Sequence, residues 1–451
     1  MKHSSPNITP ITFSRRGFLR TTGGAAAVGA LAGALSPARF AHAASGTDEI
    51  KIALIGCGGR GSGAASQALS TYPIGPIKLV AMADVHEDRL KGSLANLSKE
   101  HGARVDVPAE RQFLGFDAFQ KAIATCDVAI LSTPPGFRPM MFEEAVKQGK
   151  NVFMEKPVAS DAAGVRKVLA AAEEAKKKNL KVGVGLQRHH QLGYQETVKR
   201  IFDGQIGDVT SMRCYWNGNR PWQMKRADLE KKYGRKLTEM EYQLRNWYYF
   251  TWIGGDHIVE QHIHNIDVIN WIKKGPPVKA HAMGGREFNN GGSDDGEIFD
   301  HFAVEFEYED GSVCNSFCRH QGVPDWNSVS EYVVGTKGKC DVNGYKIYGE
   351  NQWHFKTEGA KDAYQQEHDD LFTAIRENKE YSEAAYGASS TMTAILGRMA
   401  AYSGKELSYT DALNSKVELL PQELGWDKPS RVNPGADGMY QRAIPGKTQV
   451  V

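Results

Sequence analysis

The sequence has little of what marks several protein classes. Its six cysteines, Cys57, Cys126, Cys214, Cys314, Cys318 and Cys340, show no Cys-x-x-Cys or zinc-ligand spacing. Cys57 and Cys126 sit in strand-like apolar contexts, and most of the six read as buried small hydrophobes rather than disulfides. Neither charge sign dominates: 55 Lys and Arg stand against 53 Asp and Glu, which leaves no nucleic-acid footprint. Beyond residue 43 no apolar run is long enough to cross a membrane, and no repeat or low-complexity tract is visible.

What is present begins with SRRGFLRTTGGAAAVGALAGALSPARFAHA, residues 14–43. A basic front, a short Gly/Ala-rich apolar middle and a small-x-small end make a secretory signal. Arg15-Arg16 followed by Gly17, Phe18 and Leu19 is the twin-arginine pattern, used to export proteins already folded. Residues 1–43 are therefore expected to be a signal peptide cleaved after Ala43, with a periplasmic product that keeps no membrane anchor.

About 400 of the 451 residues remain, enough for about two domains. From residue 44 to 185, β-rich runs (KIALIGCG, IKLVAMADV, VAILSTP, NVFMEKP, KVGVGLQ) alternate with helical stretches, which predicts a parallel sheet covered by helices on both faces. From 186 to 413 the style changes to longer antiparallel strands, with turns at Glu309-Asp310-Gly311 and Asn343-Gly344. One helix, near Val259–Lys273, is expected to interrupt those strands, and two more helical segments follow from about Gln365. The tail, 414–451, reads as irregular. The expected fold is α/β: a Rossmann domain plus a C-terminal α/β domain with an open, mainly antiparallel sheet.

Three motifs carry chemistry. Gly56-Cys57-Gly58-Gly59-Arg60-Gly61 follows a strand directly and opens a helix, where glycines permit a tight turn and close approach of a pyrophosphate. Asp84 closes the next strand, where a carboxylate accepts from ribose hydroxyls and repels a 2′-phosphate, favouring NAD over NADP. Second, Glu155-Lys156-Pro157 ends another strand, and the carboxyl ends of parallel strands are where such sheets hold ligands. Third, Glu260, His264 and Asp267 fall at i, i+4 and i+7 of the interrupting helix, with His257 one turn before Glu260. A carboxylate and a histidine one turn apart suit proton transfer. They would also suit a metal, but no third ligand is indicated and no metal is expected.

These motifs, in this order, resemble those of the Gfo/Idh/MocA oxidoreductases, the family of glucose–fructose oxidoreductase and inositol dehydrogenase. The resemblance covers nearly all of the chain after the leader. It maps the family's Glu-Lys-Pro motif onto Glu155-Lys156-Pro157, and its second motif onto His264 and Asp267, with Glu260 where the family has Asp. It implies bound NAD held by Gly56, Gly58, Gly59, Arg60, Gly61, Asp84, Thr133, Pro134, Glu155, Lys156, Gln187 and Arg188. Lys156, His264 and Glu260 would be catalytic: His264 as base, Lys156 on the same oxygen, and Glu260 orienting or relaying for the histidine. His190, Tyr215, Trp216, Trp222, Arg245, Trp247 and Asp267 would join Lys156 and His264 around a sugar.

The implied activity is oxidation of a secondary hydroxyl of a sugar or glycoside in a homodimer or homotetramer. Export without a nucleotide pool implies tight binding and internal recycling of the cofactor. Two alternatives stay open: a glycoside hydrolase working by transient oxidation and elimination, and a non-catalytic sugar-binding protein.

Overall fold

The computed structural model describes residues 48–287, 292, 294–321 and 326–451. The twin-arginine leader and the expected cleavage after Ala43 lie outside the described residues.

The first sheet holds β1 (Ile50–Ile55), β2 (Ile77–Asp84), β3 (Gln112–Leu114), β4 (Val128–Leu131), β5 (Asn151–Met154) and β6 (Val182–Val184) in the order β3-β2-β1-β4-β5-β6. All its pairings are parallel. Strands such as VAIL and NVFM are buried at every position, as a sheet covered on both faces requires. The order reverses between β2 and β4 around β1, which opens a crevice at the carboxyl ends of β1 and β4.

Helices α1 (Gly59–Leu69), α2 (Glu87–His101), α3 (Ala118–Ala124), α4 (Arg138–Lys147) and α5 (Ala162–Lys177) connect these strands. The second sheet follows α6 (Leu192–Phe202). Its strands are β7 (Val209–Gly218), β8 (Lys279–Gly285), β9 (His301–Glu307), β10 (Val313–His320), β11 (Ser328–Gly335), β12 (Gly338–Asp341), β13 (Lys346–Gly349), β14 (Trp353–His354) and β15 (Leu407–Ser408), in the order β14-β13-β12-β11-β7-β10-β9-β8-β15. The pairings are antiparallel except β7 with β10, which run parallel. Burial alternates along β9 and β10, so one face is packed and the other open.

The expected single helix over Val259–Lys273 is a correction. It is broken at Gln261-His262 into α10 (His257–Glu260) and α11 (Ile263–Lys273), preceded by α7 (Arg226–Tyr233), α8 (Glu239–Arg245) and α9 (Thr251–Gly254). The polar helix α7 buries only Leu229 and so shows no apolar stripe. Helix α8 carries a capping box, Thr238 with Glu241, which was the readable signal.

Two C-terminal helices tie the halves together. In α12 (Ala363–Arg376), Leu371 and Phe372 enter one apolar cluster with Ile52, Leu54, Ile130 and Phe153 of the first sheet. Helix α13 (Ala384–Ser403) runs between α5 and the second sheet, where a Cβ on Gly397 would stand 3.0 Å from Phe306 and 3.1 Å from Ile258. Among the described residues, no helix or strand follows α14 (Tyr409–Leu413), and no helix is long and apolar enough to cross a membrane. All six cysteines are buried and unbridged.

Candidate active site

The glycine loop joins β1 to α1. Gly56 has φ +93°, and a Cβ there would lie 2.6 Å from the backbone of Ser132 and Thr133. A Cβ on Gly61 would lie 2.0 Å from the Gly56 carbonyl. These two glycines let the loop close against the Thr133-Pro134 turn after β4 and against its own helix. At Gly58 and Gly59 a Cβ would meet nothing within 4 Å. That side is open, at a helix N-terminus with no side-chain cap and no acidic residue in its first turn. It suits a pyrophosphate.

Asp84, at the end of β2, accepts from the backbone N–H of Cys57 (2.6 Å) and of His86 (2.8 Å), so its carboxyl props the loop. Burial raises its pKa, against the pull of those two N–H groups. Arg60 reaches across to Glu155, lies over the Tyr364 ring at 4.9 Å, and donates to Gln67. Gln187 donates to the Tyr364 hydroxyl at 3.1 Å, and its buried Oε1 has no partner. The loop, the Glu-Lys-Pro turn and the turn after β6 thus meet in one place.

Lys156 leaves the end of β5 and donates to the backbone carbonyl of Glu260 (2.6 Å) and to its carboxylate (3.0 Å). Both side chains are only 13% exposed. Two of the three ammonium hydrogens are therefore used, leaving one. His264 is 6% exposed, lies 5.9 Å from Trp216 with near-parallel rings, and has no partner for Nδ1. Burial first, then the charges of Lys156 and Arg188, hold its pKa well below the usual histidine range, so the ring is neutral near pH 7. A fixed cation thus stands near a neutral imidazole. That pairing can remove a proton from a hydroxyl and stabilise the charge left on oxygen.

Residues 50–184 match the family described as "Oxidoreductase family, NAD-binding Rossmann fold", and residues 194–341 match "GFO/IDH/MocA C-terminal domain". The chain belongs to the Gfo/Idh/MocA oxidoreductase family. It is 26% identical over 235 residues to inositol 2-dehydrogenase of Ralstonia nicotianae, covering 52% of this chain and 57% of that one. The chain thus spans little more than half the length of that relative. Among solved structures, aldose-aldose oxidoreductase from Caulobacter crescentus superposes with TM-score 0.62 at 17% identity, over 80% of this chain and 99% of that chain. A levoglucosan dehydrogenase solved with NADH and levoglucosan gives 0.60 at 15% identity, over 80% and 99%. Both show the fold.

Within this Gfo/Idh/MocA frame, several expected roles need correction. Glu260 pairs with Lys156, not with His264, because the break after α10 turns the two away from one helical face. Asp267 has both oxygens engaged within the protein, by Ser390 (2.7 Å) and His189 (2.8 Å). His190 is likewise internal, between Asp370 (2.6 Å) and Glu383 (2.9 Å). Burial opposes its charge, but the two carboxylates lift its pKa to about 10. Arg188 is buried against Glu331 and over Tyr194; it reaches the site through its charge on His264.

Tyr215 and Trp216 part company. Neighbours on a strand face opposite sides, so Trp216 turns to His264 while Tyr215 stacks on Phe317 (5.6 Å) and meets Trp326 (5.2 Å) on the open face of the sheet. Arg245 is also misassigned: it grips Asp88 with two bonds, 2.7 and 3.0 Å, at the start of α2. Trp222, 43% exposed, meets Trp247 edge to face at 5.8 Å.

Behind Trp247 stands Tyr248, which sequence reasoning passed over. Burial and the charge of Glu260 both raise its pKa, and its hydroxyl lies 3.4 Å from His320 Nε2. Arg138 was missed too: it is buried and donates to the Pro157 carbonyl. Burial lowers its pKa to about 10 against the opposing charges of Glu155 and Glu260. The run Trp247-Tyr248-Tyr249 was the available signal for the first; none marked the second.

Proposed function

We propose that this protein is an NAD-dependent oxidoreductase acting on a secondary hydroxyl of a sugar or glycoside, with a cofactor that stays bound and is recycled in place. The observation that carries this reading is the pairing of the Lys156 ammonium with neutral His264, next to Trp216 and beside the glycine loop. The bound dinucleotide supplies the hydride acceptor at its nicotinamide. The chain supplies the rest. His264 accepts the hydroxyl proton at an imidazole nitrogen, and the remaining N–H of Lys156 donates to the same oxygen as it becomes a carbonyl. Glu260 holds Lys156 in place, and Trp216 offers a ring face to the pyranose.

The leader supports export of the folded protein to the periplasm through the twin-arginine route, with NAD loaded beforehand. The open face of the second sheet supports a homo-oligomer, since Phe317 (37%) and Trp326 (54%) stay exposed beside Tyr215. The test is to incubate the purified mature protein with a panel of sugars and glycosides and identify the products by mass. A keto-sugar supports the proposal. A free sugar plus aglycone assigns the hydrolase reading instead, and no conversion of any panel member assigns a binding protein.

A further inference from the structure

Beyond the end of β2, next to Asp84, lies a cavity of about 160 Å³ that the reaction does not use. Val85 and His86 form one side, and Tyr233, Leu237 and Arg245 of the segment α7–α8 form another. Glu87, Arg235 and Glu241 add charged side chains to the lining, and Trp426, from the irregular tail, adds an aromatic wall. The Trp426 ring lies 5.6 Å from His86 and 5.0 Å from Phe116, so the tail crosses the residues that follow β2 and β3.

This cover is built as one piece. Arg245 clamps Asp88 in the first turn of α2 while its guanidinium lies 5.5 Å over the Tyr233 ring. The tail is fastened to α8 by Gln243 Nε2 to the Val432 carbonyl (2.7 Å), by Ser430 to Gln243 (2.5 Å), and by Tyr440 to Glu239 (2.5 Å). Inside, His86 Nε2 is buried and has no hydrogen-bond partner. Burial, with Arg245 next, lowers the His86 pKa to about 3, so this nitrogen belongs to a neutral ring. An uncharged polar atom between the Tyr233 and Trp426 rings, one residue beyond the Asp84–Val85 pair, suits the edge of a purine base, and the carboxylates of Glu87 and Glu241 in the same lining can accept from its exocyclic amine.

We propose that this cavity receives the adenine end of the dinucleotide and that α7, α8 and the tail, through Tyr233, Arg245 and Trp426, form a clasp that retains it. The proposal rests on the NAD-binding reading above and adds the residues that slow release. It makes Trp426, far along the chain from the glycine loop, a cofactor residue.

Two measurements on the full mature protein test it. Irradiation with an 8-azidoadenine analogue of NAD should label peptides containing Tyr233 or Trp426; label found only elsewhere overturns the clasp. Trp426→Ala, with an unchanged circular-dichroism spectrum, should weaken NAD and AMP about tenfold or more while leaving nicotinamide mononucleotide affinity unchanged, since loss of one stacked base costs about that much. An unchanged NAD dissociation rate in that variant also overturns it. If the wild type binds NAD with its adenine unprotected, the clasp alone fails. If it binds neither NAD nor AMP, the oxidoreductase reading fails first and the clasp with it.

Discussion

Arg60 Nε lies 2.9 Å from Glu155 Oε1, so the loop that suits a pyrophosphate is tied to the residue that precedes Lys156. The carboxylate is nearly buried, 4% exposed, while the guanidinium side is open at 37%. Gly185 makes the room, since a Cβ there would stand 2.7 Å from Glu155 Oε2. Glu155→Gln keeps the shape and removes the charge. It is expected to weaken NAD about tenfold, because Arg60 loses the charge that holds it against the loop. Fluorescence titration with NAD checks this; unchanged affinity would show that the pair is merely structural.

Lys156→Ala and His264→Ala should each lower turnover by about two to four orders of magnitude, the usual cost of a positioned proton-transfer group. Both variants should still carry NAD, because the glycine loop and Asp84 stay intact and Lys156 is one of many cofactor contacts. Single-turnover rates measured beside nucleotide occupancy decide it. Full activity in His264→Ala would end its assignment as the base.

Glu260 acts through Lys156, so the two should not add. The backbone carbonyl of Glu260 still holds the ammonium after truncation, at 2.6 Å in the intact chain. Glu260→Ala should therefore cost about tenfold, less than Lys156→Ala, and the double variant should resemble Lys156→Ala alone. Additive losses in that cycle would place Glu260 elsewhere in the mechanism.

His190 sets a pH limit on stability. Its pKa is raised to about 10 when folded, against about 6.5 for an unperturbed histidine. The raised value means the folded chain binds this proton more tightly. Its stabilisation is complete below about pH 6.5 and is lost as pH rises through about 10. Thermal melts across that window should fall with pH in the wild type, and His190→Gln should flatten the decline while lowering stability at pH 6.

Asp84→Ala should do two things at once. Removing the carboxylate relieves repulsion of a 2′-phosphate and narrows the preference for NAD over NADP. It also releases the Cys57 N–H, so affinity for both nucleotides should fall. Comparative Kd measurements separate the effects. Equal wild-type affinity for NADP would contradict the reading of Asp84.

Much of this was legible because it is local. Period and punctuation carry the parallel strands, and the glycine loop and Glu-Lys-Pro turn are contiguous, so IALIGCGGRG and NVFMEKP announce themselves. The Glu260–His264 relation is misread from spacing alone because spacing assumes an unbroken helix, and the chain breaks at Gln261-His262, where buried His262 pairs with Ser316 of β10 at 2.7 Å. Tyr215 and Trp216 were grouped by composition, whereas a strand sends neighbours to opposite faces. Arg245 and His190 were claimed for the sugar because a cation in sequence does not show which carboxylate has already taken it.

The return of α12 onto α1 fixes a schedule. Leu371 and Phe372 complete the packing around Ile52 and Leu54, and the backbone N–H of Val184 is held by Glu383 at 2.7 Å. A chain growing from the ribosome makes its nucleotide-binding strands first, yet it cannot finish their core until more than three hundred further residues have been added after Ile55. Until then the first sheet has an uncovered apolar flank. Maturation of the dinucleotide fold is therefore a late event, tied to completion of synthesis, and a truncated product should reach the cell's quality control as an unfinished first half.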